Sequence, residues 1–160
     1  MATTAHEIRT GHDDERDQHA APHVLIAVDE TVAARRTLAS GLADAEVHGA
    51  DVTVLHVTTS RRWRTARFGP VRAVPMRVGD PLESPVLRDA RRLAFDHGIR
   101  PRLELIAADD ADAAILGMAR RLQAGTIVVG ATRPEGLVAP LGVCQGVLRR
   151  APVPVVVVPA

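Results

Sequence analysis

HVLIAVDETVAARRTLASGLADAEVHGADVTVLHV, His23 to Val57, holds a run of patterns that decides the fold. HVLIAVDE is an unbroken apolar stretch that stops at Asp29, and DVTVLHV from Asp51 is a second one rich in β-branched residues. Between them Ala34, Leu38, Leu42 and Ala45 recur at the spacing that lines one face of a helix. Strand, helix, strand follows. Strands this apolar are buried on both faces, which a parallel sheet covered by helices on either side provides.

The rest of the chain continues the alternation. Thr58 to about Gly79 carries Arg61, Arg62, Arg64, Arg67, Gly69, Pro70 and Pro75 without a sustained period and is read as a variable connection. Asp80 as N-cap, Pro81 at the first helical position and Gly98 as the stop bracket a second helix, with Leu82, Val86, Ala90, Leu93 and His97 on one face. RPRLELIAA, from Arg100, alternates Leu103 and Leu105 with charge, the pattern of a half-exposed edge strand. DDADAAILGMARRLQA places aspartates at a helix start and Arg120 and Arg121 at its end, with Ile115, Met118 or Ala119, and Leu122 as the buried stripe. GTIVVG is the fourth strand, the region of GVCQGVLRR a last helix, and VPVVVV the fifth strand.

The fold class expected is therefore α/β: a single doubly wound domain, a five-stranded parallel sheet, helices on both faces. Right-handed crossovers restrict its topology. In the strand order 3-2-1-4-5 the chain reverses direction between the first and fourth strands, and ligands bind such sheets at that point, outside the carboxyl ends of the strands. Asp29 ends the first strand and Gly130 the fourth, so they are expected to share one crevice.

Composition narrows the function. A length of 160 residues, 46% hydrophobic and 24% charged, fits one domain. Residues 1–20 mix both charge signs with few branched aliphatics and are read as a disordered polar tail, and 21–160 as the domain. His6, His12 and His19 in the tail and His23 just beyond it lack the spacing of a metal site. A net charge of +1 and only three aromatics, Trp63, Phe68 and Phe95, argue against a nucleic-acid surface. RRWRTARF is accordingly read as a solvated loop or a cover over the crevice, and DDADA as helix capping without a metal. A lone Cys144 excludes an internal disulfide and suits a reducing compartment. No apolar run approaches the roughly 20 residues of a membrane span, so a cytoplasmic protein is expected.

The sequence contains no lysine. A Walker-type phosphate loop and Schiff-base catalysis both need one, and both are excluded. No base, nucleophile and orienting group fall together, so weak nucleotide hydrolysis is the most to expect of it as an enzyme. His56 reads as a packed strand residue, and Cys144 as a buried thiol rather than an oxidant sensor.

Together HVLIAVDE, DVTVLHV, ADDADAAILGMARRLQAGTIVVG and GVLRRAPVPVVVVP resemble the universal stress protein family over about residues 22 to 160. The resemblance implies the same five-stranded sheet and a homodimer. It also implies, for members that bind ATP, a site made of the acidic end of the first strand, the end of the second, and a glycine-rich loop after the fourth. Carried across by position, it marks Val28, Asp29, Val57, Gly130, Ala131, Thr132, Arg133, Gly142 and Val143 as nucleotide-binding. The implied cofactor is ATP or another adenine nucleotide, for which Asp29 either hydrogen-bonds ribose or adenine or holds a magnesium ion through water.

The loop departs from the family pattern of Gly-x-x-Gly and, further on, Gly-Ser or Gly-Thr. Gly130 matches its first position, but Arg133 replaces the second glycine. Strict spacing puts Val143 and Cys144 at the closing pair, and one deletion puts Gly142 and Val143 there, so neither register supplies the hydroxyl. Glycines let backbone amides surround a phosphate, whereas Arg133 either grips it by paired hydrogen bonds or points into solvent.

Two function classes stay open: a stress-response regulator that binds an adenine nucleotide, and a nucleotide-independent dimeric interaction module acting on partner proteins. Either way the last strand, Pro154, Val155, Val156, Val157 and Val158, ends the sheet without a covering element and is the expected homodimer surface.

Overall fold

The apolar runs form the centre of one sheet. The computed structural model describes residues 21–58, 76–131 and 142–159. In chain order these form β1 (His23–Val28), α1 (Ala34–His48), β2 (Asp51–Thr58), β3 (Met76–Arg77), a 3-10 turn (Pro81–Glu83) and α2 (Pro85–Asp96). Then come β4 (Arg102–Ala107), α3 (Ala111–Arg121), β5 (Thr126–Gly130), α4 (Val143–Arg150) and β6 (Val155–Val158). The sheet order is β3-β4-β2-β1-β5-β6. All pairings are parallel except that of β3 with β4. The expected 3-2-1-4-5 sheet is thus present as β4-β2-β1-β5-β6, with a two-residue antiparallel strand added at one edge.

Alternation along β1 divides the core. Val24, Ile26 and Val28 pack under α1 and α2 with Leu38, Leu42, Leu87 and Ala90. Leu25 turns to the other face, with Ile127 and Val129 under α3 and α4. Both sides of the central strands are buried, which is why they read as continuous apolar runs rather than alternating ones.

Three local expectations change. Asp80 caps the 3-10 turn, accepting from the Leu82 N–H at 2.9 Å, while Ser84 caps α2 itself with Pro85 as its first residue. The helix therefore starts later than read, and Leu87 joins Ala90 and Ala94 as its fully buried residues. His97 is the C-cap of α2, its Nδ1 3.1 Å from Glu46 Oε2. On α3 the buried set widens to Ala114, Ile115, Leu116, Met118 and Ala119, and Leu122 becomes the C-cap.

The half-exposed edge read at Leu103 and Leu105 is the third change. Glu104 is only 2% exposed and shares the inner face with Ile106, because β3 flanks β4 and brings Arg77 onto its carboxylate. Met76 and Arg77 fall in the stretch read as a loose connection; the remainder of the arginine-rich segment, with Trp63 and Phe68, lies outside the described residues, as does the tail 1–20. Among the described residues no helix is long and apolar enough to cross a membrane.

Candidate functional site

Because β1 lies between β2 and β5, the helices that leave β1 and β5 start on opposite faces of the sheet, and a crevice opens between their strand ends. It encloses about 450 Å³, within the range of small-molecule sites. Val28 and Asp29 from β1, Val57 from β2 and Gly130 from β5 line it together, joined by Val143 at the start of α4. Gly142 is the N-cap of α4, and Thr132 and Arg133 lie outside the described residues.

Helices in such a fold run antiparallel to the strands, so their N-termini gather at the same end. The starts of α1, α3 and α4 all reach the crevice, through Ala34, Ala111 and Val143. Asp110 caps α3, accepting from the Ala113 N–H at 3.2 Å. No side chain caps α4 or α1, so the positive dipole ends of both helices at the crevice favour an anion.

Asp29 accepts from both the N–H and the hydroxyl of Thr31 on one oxygen, Oδ1. It shapes the turn after β1 rather than capping α1, whose N-cap is Ala33. Among the described residues no hydrogen bond is made to Oδ2. Glu30 adds a second carboxylate, and no arginine is among the described lining residues.

The first two residues of the glycine-loop reading also acquire structural roles. A Cβ on Gly130 would come 2.8 Å from Thr37 Oγ1, so the packing of the Thr37 side chain by itself favours glycine there. The Ala131 N–H donates to the Val158 carbonyl at 2.7 Å and is engaged in the sheet.

His56 is 5% exposed, with Nδ1 3.1 Å from the Ser84 hydroxyl, tying β2 to the cap of α2 on the crevice wall. Burial lowers its pKa, against the pull of the Glu30 and Asp29 carboxylates, and favours the neutral ring. Burial likewise pushes the Cys144 thiol up, so the helix start does not make it a thiolate. Thr37 and Ala111 line the site without having been singled out, and Ile115 does so although it was read only as a core residue of its helix. Thr37 alone left a trace, as a hydroxyl residue beside Leu38 on the buried stripe of α1; its hydroxyl donates to the Ala33 carbonyl at 3.2 Å.

The profile of the universal stress protein family matches residues 21–159. A universal stress protein from Archaeoglobus fulgidus superposes with a TM-score of 0.63 at 24% identity, covering 86% of this chain and 98% of that one. A universal stress protein in complex with cAMP gives 0.61 at 18% identity, over 86% of this chain and 95% of its own. The A. fulgidus protein in complex with dAMP gives 0.57 at 21% identity, over 86% and 97%. At these identities the likeness is one of fold. Among curated proteins, none matches the chain.

Proposed function

Since the chain belongs to the universal stress protein family, we propose that it is a stress-response regulator that binds an adenine nucleotide in the crevice between β1 and β5. The observation that carries this reading is the meeting of Asp29, Val57 and Gly130 around one cavity whose far wall is the uncapped start of α4. Val57 and Leu55 offer an apolar wall to a base, Asp29 an acceptor for ribose or adenine donors, and the α4 amides a seat for a phosphate. Relatives of this fold in complex with cAMP and dAMP support an adenine ligand.

Calorimetric titration with ATP, AMP and cAMP, each with and without magnesium, tests the site. Asp29→Ala is expected to weaken binding by about 1.5–3 kcal/mol, the range for hydrogen bonds to a charged group. No heat from any of the three at millimolar concentration would end the nucleotide reading.

A second reading is favoured by the lining itself. Asp29 and Glu30 set two carboxylates at the mouth, and α4 begins on Gly142 and Val143 without the hydroxyl that the family pattern supplies. On that reading the protein is a dimeric interaction module that acts through partners and needs no nucleotide. In both readings the partner at β6 is a second copy of the chain. β6 has β5 on one side and no strand on the other among the described residues, and it exposes Val156 and Val157.

A further inference from the structure

A second concavity of about 330 Å³ lies beside the crevice, between the first half of α1 and α2. Its floor is aliphatic, made by Leu38 from α1 and by Val86 and Leu93 from α2, where the two helices turn toward each other over β1 and β2. Val32, in the turn before α1, stands at its mouth 97% exposed. No other large aliphatic side chain among the described residues is so open to solvent.

The rim is charged, and unevenly. Asp29, Glu30, Asp89 and Asp96 place four carboxylates around the floor, against two guanidinium groups, Arg35 and Arg92. Arg92 already lies 3.9 Å from Asp89. Four negative and two positive groups leave the rim two charges negative on a chain whose formal net charge is +1. The acidic excess belongs to this groove and not to the protein at large.

We propose that the groove between α1 and α2 is a docking site for a basic, aliphatic segment of a partner protein. Apolar side chains of that segment cover the floor beside Val32, and its arginines or lysines meet the acidic rim. The charge excludes the other common occupants: a phosphate backbone or an anionic lipid surface is repelled by the rim, and the β6 strand of a second copy carries only valines. Asp29, Glu30 and Thr31 line both the groove and the crevice, so a docked segment sits against the outer wall of the small-molecule site. The proposal does not depend on a nucleotide being bound there.

Fluorescence anisotropy with the full chain tests it. The probe is a labelled synthetic peptide that repeats Leu-Arg-Arg-Leu, and the control has glutamate at every arginine. The basic probe is expected to bind and to weaken as salt is raised, and the acidic control to stay free. Asp89→Arg with Asp96→Arg, both exposed positions of α2 outside the crevice, should weaken the probe by about tenfold or more. Val32→Ser should weaken it by removing the apolar contact at the mouth without changing charge. Equal binding of the two peptides overturns the proposal, as does unchanged affinity in the charge-reversed chain. Failure of the basic probe to bind at all overturns it too, including the case in which residues of the same chain already fill the groove.

Discussion

Asp112, in the first turn of α3, lies against α4 at the one place where that helix has no side chain: a Cβ built on Gly146 would fall 1.6 Å from Asp112 Oδ2. The same oxygen is 2.6 Å from Arg150 Nη2, one turn further along α4. The contact fixes α4 against α3 and so sets where Val143 and Cys144 meet the crevice.

Gly146→Ala should therefore destabilise the protein by about 1–3 kcal/mol, the cost of overpacking, even though alanine is the better helix residue by about 1 kcal/mol. In an Asp112→Ala background the clash is gone and the sign should reverse. Urea denaturation of the four proteins of this cycle decides it; an equal loss in both backgrounds would show that the notch at Gly146 does not set the packing.

The buried Glu104 has Arg77 as its ion-pair partner, although the arginine itself is largely exposed. Arg77→Ala leaves a carboxylate inside the sheet, a cost of about 1–3 kcal/mol once solvent reaching the arginine side is allowed for. Adding Glu104→Leu should restore most of that loss, since an apolar residue suits the face shared with Ile106. If the double variant is as unstable as the single one, Glu104 is held by something other than this pair.

Acid should weaken the fold through His56. Burial sets its folded pKa below the ordinary 6.5, so below that pH the unfolded chain binds more protons and stability falls as pH drops through the folded value. Above pH 6.5 both states are neutral and the effect vanishes. Each such histidine contributes a slope of at most about 1.4 kcal/mol per pH unit. His23, whose pKa is also lowered, foremost by burial, adds a second contribution of the same sign. His56→Asn keeps a polar partner for Ser84 and should remove one of the two. Urea midpoints followed from neutral pH toward pH 5 should drop less steeply in the variant; parallel curves would clear His56.

At β6, Val156 is 38% and Val157 36% exposed, on a strand paired on one side only among the described residues. Replacing both with lysine puts charge on the free edge without removing core side chains. Sedimentation equilibrium is expected to show a dimer for the parent chain and a monomer for the variant. A parent that is already monomeric at tens of micromolar would refute the edge as an interface, and a dimeric variant would move the interface elsewhere.

The alternation of strands and helices was legible because burial on both faces writes itself into the chain as uninterrupted runs such as VLIAV and TIVVG, and because the intervening apolar stripe has a helical period. From that alternation the fold class followed; the alternation alone does not choose the strand order, but in the 3-2-1-4-5 order the switch point and the convergence of Asp29 with Gly130 follow with it. Residues whose role depends on a partner distant in sequence could not. Glu104 read as a solvent-facing charge because a strand's own pattern does not reveal that Arg77 will be laid beside it by a two-residue strand. Gly130 read as a phosphate-loop glycine, and in the fold it is also the space that Thr37 requires. Ala131 was marked as nucleotide-binding by its position, and in the fold its amide closes onto Val158 of β6. The groove between α1 and α2 has no motif at all. Local sequence carries periodicity and burial, which are properties of single elements, and these determined the fold of this protein. Which polar groups are satisfied, and by whom, is set by contacts between elements, and only the tertiary structure decided it.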